Sequence, residues 1–196
     1  QLWTAKRQFT SVDKFTWQKD DALAYLRSSD TSKIKAYDLV LFNPSKQVEE
    51  VVVDSNEAFI SSHHTVAIHY SPGFTEDGSI LYYGVSELQQ EKPSDTLLES
   101  EKVKLDLWHH KDKRLQPQQM KELRRDENRS ALFAYHMNQE RSIQISNDTL
   151  RARADVQLKG KYIMGYSNES YAHTYNWVAP RPADYYRINV ETGTSN

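Results

Sequence analysis

Apolar residues along the chain come in short runs separated by Asp, Asn, Ser, Gly and Pro, and no long 3.6-residue stripe joins them. The runs predict strands at Leu23 to Leu26, Asp38 to Phe42, Val48 to Val53, Ile80 to Val85, Leu105 to His109, Ala131 to Tyr135, Ile143 to Ile145, Tyr162 to Tyr166 and Tyr185 to Val190. They are rich in the aromatic and β-branched residues that suit a pleated, half-buried surface. Helical signal is confined to Ser55 to Ser61 and to Pro117 to Arg125. In the second, Pro stands near the start and Gln118, Met120, Lys121, Glu122 and Leu123 follow as good helix formers. That stretch reads equally well as a strand, because its charges alternate poorly with apolar residues.

Internal similarity adds the architecture. A turn-plus-strand unit runs from Phe15 to Leu26, again from Phe74 to Gly84, and more weakly from Val156 to Tyr166. After each unit an Asp leads an apolar or aromatic run: Asp38-Leu39-Val40-Leu41, Asp106-Leu107-Trp108-His109 and Asp184-Tyr185-Tyr186-Arg187. These Asp residues are 68 and 78 positions apart. A hairpin sheet of this kind buries only one face alone, and repeating it around an axis lets each sheet cover its neighbour, as in a β-propeller. Blades usually take about 40–50 residues, so the spacing implies inserted loops or a skipped blade. The expected fold class is all-β, a partial β-propeller of three to four blades in one domain spanning 1–196, with one short helix at most. An unrelated β-sandwich with chance matches is the alternative. Three or four blades leave strand edges open, so self-association or a partly open arc is expected.

Composition narrows the function classes. With 25 Lys and Arg against 27 Asp and Glu, the formal charge is −2, which argues against a strongly basic nucleic-acid binder. The 38% hydrophobic and 11% aromatic content supports a real core, while no apolar run is long enough for a membrane-spanning helix. No Cys is present, which removes disulfides, thiolate metal ligands and a Cys nucleophile. The Gln1-Leu2-Trp3-Thr4 start has neither an initiator Met nor a signal-peptide pattern, and reads as a processed chain or an excised fragment.

The segment Leu105 to Gln119, above all Trp108 to Gln119, together with Ser71-Pro72-Gly73-Phe74-Thr75-Glu76-Asp77-Gly78, resembles the N-terminal β-propeller of bacterial prolyl oligopeptidase family serine peptidases. The resemblance covers most of the chain. It implies a propeller seated over a following α/β-hydrolase domain that carries the Ser, Asp and His triad, with the propeller restricting access and helping to hold the N-terminal end of a peptide. It further implies peptide cleavage through an acyl-enzyme on a Ser outside this chain, a periplasmic or extracellular setting in a bacterium, and two partners: the chain's own C-terminal hydrolase domain and the peptide substrate.

No catalytic, cofactor-binding or metal-binding residue is assigned within the chain. A hydrolase elbow needs Gly-x-Ser-x-Gly, and the nearest approach, Gly165-Tyr166-Ser167-Asn168-Glu169, lacks the second Gly. Ser167 therefore reads as a strand-end turn residue, and His173 precedes Asp184, the reverse of that family's order. His63-His64 with His69, and His109-His110, invite a metal, but neighbours on a strand point to opposite faces and no His-Glu-x-x-His spacing occurs. Lys121, Arg124, Arg125 and Arg129 are interleaved with Glu122, Asp126 and Glu127, as on a solvated face. Glu49-Glu50 and Asp20-Asp21 read as turn or strand-end residues rather than an acid–base pair. Tyr166, Tyr171, Tyr175, Trp177, Tyr185 and Tyr186 suit either a recognition platform or packing between sheets.

Overall fold

The computed structural model describes residues 11–19, 22–54, 60, 63–91, 109, 111–154, 161–174 and 177–196. Three antiparallel sheets follow one another along the chain. The first is a meander of β1 (Ser11–Gln18), β2 (Ala22–Ser28), β3 (Asp38–Asn43) and β4 (Val48–Val53). In the second, β5 (His64–Val66) and β6 (Gly73–Phe74) lie along the same edge of β7 (Ile80–Glu87), with Val66 opposite Val85 and Phe74 opposite Leu81. They act as one broken strand, with Pro72, which has no amide to donate, in the break. Helix α1 (Gln116–Glu127) follows, then β8 (Ala131–His136) and β9 (Arg141–Gln144) complete that sheet. The third sheet holds β10 (Arg151–Ala152), β11 (Tyr162–Ser167) and β12 (Asp184–Asn189), with a short 3-10 helix, Glu169–Thr174, between the last two. Ser195 bridges to Ile188 on the outer edge of β12.

The second sheet is buried on both faces. Leu81, Tyr83, Val85, Phe133 and Tyr135 pack against Ala24, Leu26, Leu39, Leu41 and Val53 of the first sheet. Tyr82, Leu132 and Ala134 point the other way, with Ile145 beyond β9, and meet Ile163, Ile188 and Val190 of the third. Alternation along β7 and β8 thus serves two neighbours at once. Each fully buried Leu, such as Leu26, Leu39 and Leu81, contributes about 1.5–3 kcal/mol. Hydrogen bonds also cross between sheets: the Tyr37 amide donates to Thr65 Oγ1 (2.7 Å), and a His136 ring nitrogen meets the Val190 carbonyl oxygen (3.1 Å).

The sheets are structural repeats. Each third strand ends in a four-residue loop whose last residue takes the left-handed conformation: Gln47 (φ 52°), Glu140 (φ 48°) and Gly193 (φ 72°). Asn43 Oδ1 accepts the Lys46 amide in the first loop, and Asn189 Oδ1 accepts the Glu191 amide in the third. Three sheets of one plan, stacked face to face, make this a partial β-propeller of mostly antiparallel strands with one short α-helix.

The predicted strands fall on β2, β3, β4, β7, β8, β9, β11 and β12 with ends shifted by a few residues. Leu105 to Trp108 and almost all of Ser55 to Ser61 lie outside the described residues. The ambiguous stretch is helical: Pro117 sits in the first turn, where its missing amide costs nothing, and Arg124 and Arg125 face the negative end of the helix dipole. The three turn-plus-strand units fall on the first hairpin of the three sheets, although 156–160 of the third lie outside the described residues. Asp38 and Asp184 open β3 and β12. The middle match, Asp106, lies outside the described residues; the third strand of the second sheet, β8, opens at Ala131, after the inserted helix.

The β6–β7 turn carries a pH-sensitive contact. Asp77 Oδ1 accepts from Thr75 Oγ1 (2.7 Å), the Ser79 amide (3.1 Å) and Ser79 Oγ (2.9 Å). These bonds, the Thr75 hydroxyl first, hold its carboxyl down at about 2, against an ordinary 3.8. A depressed folded-state pKa gives stability that is present above pH 3.8 and is lost as pH falls towards 2. Asp77→Asn should therefore flatten the melting-temperature profile over that window relative to wild type. Parallel acid profiles would remove Asp77 from the turn's stabilisation.

Candidate functional site

In an antiparallel meander, connections from second to third strand all lie at one end of the sheets. In the first sheet this connection is short, residues 29–37. In the second it spans 88–130 and carries α1, and in the third it spans 168–183 and carries the 3-10 helix. The two long connections enclose a cavity of about 1050 Å³. The 111–114 segment and the inner face of α1 form one wall, the 3-10 helix and Arg181 to Ala183 another, and Asp148, Arg151, Tyr166 and Tyr185 the floor.

Ion pairs hold these walls. Arg114 Nη1 donates to Glu122 (2.9 Å) and Asp126 (2.6 Å), tying the segment before α1 to the helix, and Arg125 adds a contact to Glu122 (2.9 Å). Such clamping matters because α1 buries no residue of its own. Lys113 pairs with Glu169 and so links the two long connections across the cavity. Tyr171 donates its hydroxyl to Asp184 Oδ1 (2.8 Å), which raises the phenol's pKa. Tyr166 and Tyr185 are cross-strand partners on the outer face of the third sheet.

Two cations at the floor are arranged differently. Arg129 and Arg151 are half-buried and both line the cavity. The Arg129 guanidinium donates to the Asp148 backbone carbonyl. Burial first, and then the positive charge of Arg151, lower the Arg129 pKa from its ordinary value, while Asp148 and Asp126 oppose the shift. Among the described residues, no carboxylate lies within ion-pair distance of either arginine.

The other residues singled out in the sequence disperse. Ser167 ends β11, and its Oγ accepts the Glu169 amide (3.3 Å). His173 stands in the 3-10 helix. His64 lies on β5, His69 in the turn beyond it and His109 in the segment before α1, while His110 is outside the described residues. Among the described residues no three His, Asp or Glu side chains gather to hold a metal. Glu49 accepts the Tyr25 hydroxyl and pairs with Arg27 (3.2 Å), and burial raises its pKa. Glu50 occupies the opposite face of β4, and Asp20-Asp21 lie outside the described residues. Of the aromatic set, Tyr166 and Tyr185 reach the cavity, Tyr186 packs into the core, Trp177 is 83% exposed and Tyr175 is outside the described residues. The basic run divides: Arg125 and Arg129 face the cavity, whereas Lys121 and Arg124 are exposed. Arg151 carries no local signal in the sequence, since its significance comes from Arg129, which is brought to it by the fold.

No protein-family model matches the chain, and no curated protein matches it. Among solved structures it is similar to TolB from Acinetobacter baumannii, at 12% identity and a TM-score of 0.43 over 95% of this chain and 31% of that one. It is also similar to the tricorn protease, at 10% identity and a TM-score of 0.30 over 94% of this chain and 22% of that one. The chain spans less than a third of either structure's length. Its own sheet order and packing define the class, a β-propeller module. Among the described residues no helix is long and apolar enough to cross a membrane.

Proposed function

We propose that the chain is a non-catalytic β-propeller segment that gates or positions a peptide for a serine-peptidase domain of the prolyl oligopeptidase type, in a protein of the bacterial periplasm or exterior. The observation that carries this reading is the cavity at the second-to-third-strand end, walled by two lengthened connections that Lys113 and Glu169 join. Binding sites concentrate on loops held by a rigid scaffold. The exposed outer faces of the end sheets, with Phe15 and Trp17 on the first and Met164 and Tyr185 on the third, supply surface for the hydrolase domain or a second chain. A free-standing module for protein or sugar is the second reading, favoured by the exposed Tyr185 on the cavity floor and the exposed Trp177 on the connection between β11 and β12.

The test is calorimetric titration of the purified chain with short peptides and with oligosaccharides, beside a hydrolysis assay on proline- and alanine-containing dipeptidyl reporters. Peptide binding without turnover is expected. Sugar binding alone would favour the second reading, and turnover abolished by Ser167→Ala would overturn both.

A further inference from the structure

We propose that Arg129 and Arg151 form a recognition site for a single carboxylate, such as an acidic side chain or the C-terminus of a peptide, on the floor of the cavity. The two side chains come from different parts of the chain, one from the three-residue link between α1 and β8 and one from the first strand of the third sheet, and converge on the same open volume. Like charges held together with no carboxylate in ion-pair contact are costly unless an anion joins them. Three other cations of the walls differ: Arg114, Arg125 and Lys113 are matched to Glu122, Asp126 and Glu169. Arg129 is also pre-positioned, because its bond to the Asp148 carbonyl uses part of the guanidinium and fixes its plane. Planar guanidinium groups match a carboxylate in a two-pronged arrangement.

Ligand charge follows from the surroundings. Asp126 and Asp148 stand close enough to act on Arg129, so the local excess is small and suits one negative charge better than the two of phosphate. Tyr166, paired across the strands with Arg151, offers an apolar ring beside the site for the rest of the ligand. The site serves any carboxylate-bearing ligand and so does not depend on a peptidase context.

The experiment titrates the full chain with the blocked tripeptide acetyl-Ala-Glu-Ala-amide, its Gln counterpart and inorganic phosphate. The Glu peptide should bind, and the Gln peptide should bind about tenfold or more weakly, as expected for losing one charge-assisted contact. Arg151→Gln should lower affinity for the Glu peptide by a similar factor with an unchanged melting temperature, whereas Arg124→Gln, on the exposed side of α1 away from the cavity, should leave it unchanged. Phosphate at equal concentration should not displace the peptide. Equal binding of the two peptides would overturn the carboxylate site while leaving a peptide-binding role intact. Displacement by phosphate, an unaffected Arg151→Gln variant, or no binding of the Glu peptide would each overturn it too.

Discussion

Replacing Tyr83 with Ala is expected to cost about 3–5 kcal/mol, close to the whole stability of a weakly stable domain. Tyr83 is fully buried on β7, stacks on Phe133 with centroids 5.6 Å apart, and donates its hydroxyl to Ser142 Oγ at 2.7 Å. It lies in the cluster shared with the first sheet, so truncation opens a cavity where two sheets meet rather than at a surface that can collapse. Tyr83→Phe keeps the ring and loses only the hydroxyl contact, worth about 0.5–1.5 kcal/mol. Urea unfolding of the three proteins separates the contributions, since the midpoint shifts in proportion to stability while the slope reports exposed surface. A Tyr83→Ala loss below about 1 kcal/mol would mean that the first and second sheets do not share a core.

Which parts of this architecture are legible in the sequence depends on how local their causes are. Strand positions and hairpins follow from alternation and turn residues within ten or so positions, and β2, β3, β7 and β12 lie where those signals put them. The repeat also survives, since its three turn-plus-strand units fall on equivalent hairpins. Its second signature does not locate β8, which opens at Ala131 beyond a long insertion, and one Asp before an apolar run is too small a pattern to follow a strand across such an insertion. β5, β6 and β10, two or three residues long, exist through pairing with a longer neighbour and leave little periodicity of their own. The cavity was out of reach for a different reason. Arg129 sits in a run of mixed charge that looks like a solvated helix face, and Arg151 is an ordinary arginine on a short strand. Only the stacking of the second sheet on the third brings them together.

That dependence on stacking leads to the second large effect, at Gly165. Its backbone faces Ala152 across the β10–β11 pair, and an added Cβ would stand 2.6 Å from Ile188 Cδ1, 3.1 Å from the Arg151 carbonyl oxygen and 3.1 Å from Leu150 Cδ1. Ile188 can shift its terminal methyl, but the Arg151 carbonyl belongs to the backbone of β10 and moves only with the strand. Gly165→Val should therefore cost up to about 3 kcal/mol through overpacking and push β10 outward. Because Arg151 rides on β10, affinity for the Glu tripeptide should fall together with stability, and amide exchange should quicken at residues 151 and 152 before it quickens in β7 or β8. Gly165→Ala should show the same pattern at smaller amplitude. A Val variant that melts like wild type with unchanged exchange in β10 would show that this strand is not held against Gly165, and the position of Arg151 would then need another support. A variant that loses stability yet keeps the Glu-peptide affinity would uncouple the site from the strand that carries it.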